Sequence, residues 1–235
     1  LILENGEPNL TDSIIRDVLC MLADWAAPPE RITADLELNT GAGNKLRDQG
    51  FVLSWLTPDW RSRLVEQYIP SLEGRLKLMP LPAWIPGGRR TTVWGGSMLG
   101  LAASGSSVDE AWSLVRHLVF NEEVARKTWS RMRILSPVKA YWDDPVLDQP
   151  VAYFSGQATG RLYADVAGDI PARSSSVFYA AAVQEVGNTL AQLIREARRV
   201  EPAQAEELYP LAEQLLATSQ ANLLRQMQRT QEFFK

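Results

Sequence analysis

The chain has 235 residues, 46% hydrophobic and 22% charged, the composition expected of a soluble globular protein and not of a disordered chain. Its formal charge of −4 excludes nucleic acid as an expected partner, because phosphate binding draws on clustered Lys and Arg, and Arg195, Arg198 and Arg199 are interleaved with Glu196 and Glu201. One Cys and one His exclude a disulfide framework and a zinc site of the usual ligands, so neither metal nor organic cofactor is expected, and no apolar run reaches the roughly 20 residues of a membrane span.

The opening Ile2-Leu3-Glu4-Asn5-Gly6-Glu7 predicts a short strand and an Asn-Gly turn. Thr11 or Asp12 caps a helix through Ala26, whose stripe Ile14, Val18, Leu22 and Trp25 keeps helical spacing, until Pro28-Pro29 stop it. Cys20 sits within that apolar pattern as a buried small hydrophobe. The Gly-rich stretch from Thr40 to Asn44 has no Lys-Ser/Thr after it and is predicted to be a connector instead of a phosphate loop. Phe51 to Trp55 is a buried-strand candidate, and Thr57-Pro58 starts a helix to about Tyr68.

Leu76 to Met79 is a second strand candidate, followed by Pro80-Leu81-Pro82 and the loop Pro86-Gly87-Gly88-Arg89-Arg90. Two further strands, Thr91 to Trp94 and Met98 to Ala103, flank Gly95-Gly96. Ser107 and Glu110 form a capping box whose helix turns Ala111, Val115, Leu118 and Val119 inward, and Asn121 caps a shorter helix to about Met132. A Pro-punctuated stretch from Pro137 to Pro150 leads to two long helices, from about Ser176 to Arg198 and from Pro202 to about Gln228, the latter with a kink expected at Pro210. Strands mixed with many helices indicate an α/β protein with few strands for its helical cover.

Eight tryptophans are many for this length. Trp25, Trp112 and Trp129 fall in helical patterns and are predicted to be core, whereas Trp55, Trp60, Trp84 and Trp94 fall at strand ends or in the turns beside them. Ligands of open α/β sheets bind beyond the carboxyl ends of strands. An indole there can stack on the apolar face of a sugar ring, and it can equally plug a loop onto the core.

The order of segments resembles the C-terminal half of the extracellular solute-binding proteins of family 1, the maltose-binding-like carbohydrate receptors of ABC importers. The matching stretch runs from Pro80-Leu81-Pro82 through Thr91-Thr92-Val93-Trp94-Gly95-Gly96 and Ser107-Val108-Asp109-Glu110-Ala111-Trp112 to Asn121-Glu122-Glu123 and Leu135-Ser136-Pro137-Val138. Upstream, Phe51 to Trp55 with Asp59-Trp60, and the opening Glu4-Asn5-Gly6, are similar to further segments of that family. Departures are Gln49-Gly50, where Gly-Lys is usual, and Leu135-Ser136-Pro137, which lacks the common Gly before Pro.

The resemblance implies an α/β, periplasmic-binding-protein-like (type II), two-lobed fold with most of the N-terminal lobe absent from this chain. The opening Leu1-Ile2-Leu3, with neither initiator Met nor signal peptide, fits mature processing as well as a chain lacking its front half. Residues 1–90 would belong to the C-terminal lobe, 91–136 would cross back to the other lobe, and 137–235 would supply hinge and C-terminal-lobe helices. It implies a periplasmic or extracellular receptor, with any membrane anchor in the missing N-terminus, that captures a mono- or oligosaccharide and delivers it to the membrane subunits of an ABC importer. The ligand-facing residues it implies are Trp55, Asp59, Trp60, Trp94, Gly95 and Gly96, with no catalytic residue.

Gly95-Gly96 would let backbone N–H groups approach a hydroxyl, or form a plain turn. Asp59 would accept sugar hydroxyls, or sit favourably at a first helical turn. Arg133 is a weaker candidate, with a solvated Arg as the alternative reading. Two other functions remain open at this point: a sugar-sensing subunit for a membrane sensor, and a carbohydrate-active enzyme. The latter needs paired carboxylates, and Asp143-Asp144, the most visible pair, is predicted to be a solvated turn. A Ser-His-Asp hydrolase would depend on His117, which falls on a helix with no nucleophile elbow nearby.

Overall fold

A computed structural model describes residues 1–233 apart from 4, 29, 30, 35, 38, 39, 97, 98, 103, 106, 173–175 and 203. Glu4 of the opening turn, Pro29 of the helix stop, and Met98 and Ala103 at the ends of one expected strand lie outside the described residues. The chain divides into two compact units, residues 1–35 with 172–235, and residues 36–171. Both boundaries expected from the sequence, at 90 and 136, fall inside the second unit.

The first unit is a three-helix bundle of α1 (Ser13–Trp25), α7 (Tyr179–Val200) and α8 (Tyr209–Phe233), each packed on the other two. Asp12 caps α1, its Oδ1 accepting the Ile14 N–H at 2.9 Å, as the sequence predicts. The core gathers Leu19, Cys20 and Ala23 of α1, Leu193 and Ala197 of α7, and Ala212 and Leu216 of α8. A second cluster of Ile2, Leu10, Ala182 and Leu223 is laid over it by the N-terminal segment, where Ile2 and Pro8 form an isolated antiparallel bridge. Pro210 does not kink a helix. It stands second in α8, where an N–H has no intrahelical acceptor and its loss costs nothing.

Cys20 is fully buried, and burial pushes its thiol up to about 11. A thiol so placed is protonated at pH 8 and screened from reagents. The folded protein should therefore resist thiol-specific alkylation at pH 8 and react fully in strong urea; rapid labelling in buffer would show that this core opens.

The second unit holds α2 (Gly41–Asp48), α3 (Asp59–Tyr68), α4 (Val108–Phe120), α5 (Glu122–Met132) and α6 (Thr159–Ala167), joined by irregular segments and short 3₁₀ turns. The stretch Thr40 to Asn44, expected to be a connector, instead opens the helix α2, because Thr40 Oγ1 accepts the Gly43 N–H at 3.1 Å and so caps its first turn. Asn121 caps α5 as predicted, its Oδ1 accepting the Val124 N–H at 3.0 Å. Ser107 is the residue before α4 but makes no side-chain cap bond. One core joins Val65, Ile69, Leu72, Val151, Tyr153 and Phe154, and another joins Trp129, Leu147 and Ala164.

Among the described residues no strand pairs beyond isolated bridges. In the expected strand 76–79, side chains take up the backbone groups. Gln157 brackets Leu78 with its amide, accepting the Leu78 N–H at 2.7 Å and donating to the Leu78 carbonyl at 3.0 Å, and the Ser155 hydroxyl shares its one proton between the carbonyls of Gly74 and Leu76. Side chains thus satisfy backbone groups that a neighbouring strand would otherwise have to reach. Residues 91–94 form no ladder, and Val93 and Trp94 are exposed.

α4 differs from every other helix in this unit, since it carries no buried residue. Trp112 (48%), Leu114 (58%) and Leu118 (50%) are exposed; of the four residues predicted to face inward, Ala111, Val115 and Val119 are half-buried and Leu118 is not buried. Of the three tryptophans expected in the core, Trp129 is buried, while Trp112 and Trp25 are exposed.

Candidate functional site

Trp55 and the start of α3 form the first part of the candidate site. Trp55 is half-buried against the Val65–Ile69–Tyr153 core, and the guanidinium of Arg47 lies 5.8 Å from its ring centroid. Arg47 and Arg61 are both buried, and burial holds their guanidiniums below the usual arginine range. Two residues after Trp55, Thr57-Pro58 leads into α3 with no side-chain cap.

Asp59 opens that helix, yet its Oδ2 accepts the N–H of Leu135, in the segment after α5, at 2.8 Å. Ser62 Oγ donates to the Asp59 carbonyl at 2.6 Å, and Tyr163 donates its hydroxyl to the Thr57 carbonyl at 3.4 Å. Burial raises the Tyr163 phenol well above its usual range, and the charge of Asp59 adds to the rise. Trp60, the next residue of α3, is exposed (38%).

Trp94, Gly95 and Gly96 form the second part, in the irregular run before α4. Trp94 is exposed (45%), and Gly95 adopts φ +92°, which a residue with a Cβ rarely does. Among the described residues nothing lies within 4 Å of where a Cβ would stand on either glycine. The backbone there is open to an approaching group. The structure therefore brings Trp55, Asp59 and Trp60 together at one helix start and sets Trp94, Gly95 and Gly96 on another segment. Among the described residues no hydrogen bond or ring contact joins the two sets. A shallow depression at the start of α4, lined by Gly105, Ser107, Val108, Asp109, Glu110 and Ser113, contains none of the six.

Arg133 is not solvated. It ends α5 in the left-handed region at φ 59°, at a cost of about 1 kcal/mol for a residue with a Cβ. Its Nε donates to Glu66 Oε1 at 3.2 Å, and Glu66, with its side chain only 9% exposed, also holds Arg63 at 2.6 Å. Sequence reading missed Glu66; its signal is the seven-residue spacing from Asp59, which puts both acids on one face of α3.

Asp144 is not a solvated turn either. It caps the 3₁₀ turn Pro145–Asp148 by accepting the Val146 N–H at 2.9 Å and pairs with Arg126 at 2.7 Å. Its carboxylate is committed to structure, which removes the most visible candidate for glycosidase chemistry. His117 is exposed on α4. Among the described residues no three His, Cys, Asp or Glu side chains group as a metal site, and no helix is long and apolar enough to cross a membrane.

Two curated relatives share sequence with this chain. It is 32% identical over 83 residues to an arabinooligosaccharide-binding protein of Bacillus subtilis (strain 168), covering 35% of this chain and 19% of that protein. It is 26% identical over 125 residues to an arabinooligosaccharide-binding protein of Halalkalibacterium halodurans, covering 52% of this chain and 28% of that protein. The matches thus span between about a fifth and just over a quarter of the relatives' length. No protein-family model matches the chain, and no solved structure matches it.

Proposed function

We propose that this chain is part of an extracytoplasmic carbohydrate receptor that captures an oligosaccharide and delivers it to an ABC importer. The observation that carries the reading is the exposure of Trp60 and Trp94 in a chain similar to two sugar-binding proteins. An indole face left in water costs burial energy that the fold could have recovered, and a sugar ring can recover it by stacking its C–H face there. The relatives' ligands make an arabino-oligosaccharide the first to test.

The fold proposed is the α/β, type II periplasmic-binding-protein-like arrangement, in which two lobes close on the ligand about a hinge. Its support is what this chain leaves uncovered: residues 91–94 without a ladder and an α4 with no buried residue. In the proposed receptor residues 91–94 and α4, within the 91–136 stretch, pack on the other lobe, and localisation is periplasmic or extracellular.

Calorimetric titration of the full-length natural protein with arabino-oligosaccharides and a panel of other mono- and oligosaccharides tests the reading. Trp60→Ala and Trp94→Ala should each weaken binding by about 1–3 kcal/mol while leaving the melting curve in place. Unchanged affinity in both variants would make these tryptophans structural, and a wild-type protein that binds no sugar would end the proposal.

A further inference from the structure

We propose that Asp59 is a positioning residue: with Glu66 it clamps the segment leaving α5 onto α3, and it thereby fixes the helix start that carries Trp60. The role given to Trp60 rests on the sugar-binding reading above; the clamp rests on geometry alone.

Asp59 and Glu66 are seven residues apart, two helical turns, and so share one face of α3. Between them on that helix Ser62 and Val65 are buried, so the face is turned into the unit. Each acid takes hold of the same short segment at a different point. Asp59 Oδ2 accepts the Leu135 N–H at 2.8 Å, and Glu66 Oε1 accepts from Arg133 Nε at 3.2 Å.

The held segment needs holding. Arg133 is left-handed at φ 59°, a conformation that a helix usually ends on with Gly. Its guanidinium lies 6.0 Å from the Trp129 ring centroid, and Leu135 packs on the Trp129–Leu147–Ala164 core. The half-buried Leu135 N–H has its described acceptor in Asp59 and in no group of its own segment. The carboxylate is therefore engaged with a peptide 76 residues away, and what that bond requires is an accepting oxygen, not a charge.

That distinction sets the experiment, because Asn keeps an accepting oxygen and Ala does not. In the full-length protein, amide exchange at Leu135 should be at least about 10-fold faster in Asp59→Ala and within about 3-fold of wild type in Asp59→Asn. Glu66→Ala should also speed it. Sugar titration should follow the same order, with Asp59→Asn within about 3-fold of wild type and Asp59→Ala weaker. Unchanged Leu135 exchange in Asp59→Ala would overturn the clamp. Loss of affinity in Asp59→Asn as severe as in Asp59→Ala, with Leu135 still protected, would overturn the proposal and make Asp59 a ligand contact. If wild type binds no sugar, the sugar reading falls while the exchange rates still decide the clamp.

Discussion

Gly160→Ala should destabilise the second unit by about 3 kcal/mol, the upper range for overpacking a core. A Cβ at this position would meet the Leu147 Cα and carbonyl oxygen at 2.7 Å and Trp129 Cζ2 at 2.8 Å. Two of those atoms are backbone, and the third belongs to an indole that is itself buried, so nothing nearby is a flexible side-chain end that can swing away. Helix propensity pulls the other way, since Ala is favoured over Gly in a helix interior by about 1 kcal/mol. The clash wins. Gly187 in α7 provides the matched control, because it is exposed and nothing lies within 4 Å of its Cβ position. Gly187→Ala should raise stability by about 0.5–1 kcal/mol where Gly160→Ala lowers it. Urea unfolding of the two variants beside wild type checks both signs, and a Gly160→Ala protein as stable as wild type would mean that the 145–148 turn moves aside readily.

Leu193→Ala should cost the bundle about 2–5 kcal/mol, with the upper half of that range expected. The cost of truncating a core leucine has two parts: lost transfer energy, and the cavity left where neighbours fail to collapse. Leu193 is fully buried where α7 meets α1 and α8, in a cluster that holds Leu19, Leu208 and Leu216 beside Ala23, Ala27, Ala197 and Ala212. Four of its nine buried residues are alanines, whose methyl groups cannot move into a gap without moving a helix backbone. Chemical denaturation followed by far-ultraviolet circular dichroism measures the loss, and a cost under about 1.5 kcal/mol would show that the helices close up.

Much of the helical framework was legible in the sequence because its signals are local. Asp12 and Asn121 cap helices through N–H groups two or three residues away, and nothing distant can change that. Cys20 and Trp129 were legible as core from helical spacing alone. The resemblance to carbohydrate receptors reached the same kind of protein as the sequence-sharing relatives, from segment order and not from any single residue.

Other features were closed to sequence reading because they are decided by partners far along the chain. The segment 76–79 has the pattern of a strand, but Ser155 and Gln157 satisfy backbone groups at Leu76 and Leu78 from about 80 residues away. Asp144 reads as one of a solvated pair until Arg126 is set against it, and Arg133 reads as solvated until Glu66 is. Asp59 suits a ligand contact on pattern alone; only the folded chain puts the Leu135 N–H on its carboxylate. The sequence by itself thus determined α1, α3, α4, α5, α7 and α8 and the caps at Asp12 and Asn121, because propensity and capping act within about four residues, while α2 and α6 went unread and Ser107 makes no cap bond. Tertiary structure alone decided which charges are spent on structure and which indoles stay in water, because burial and pairing depend on segments that only folding brings together.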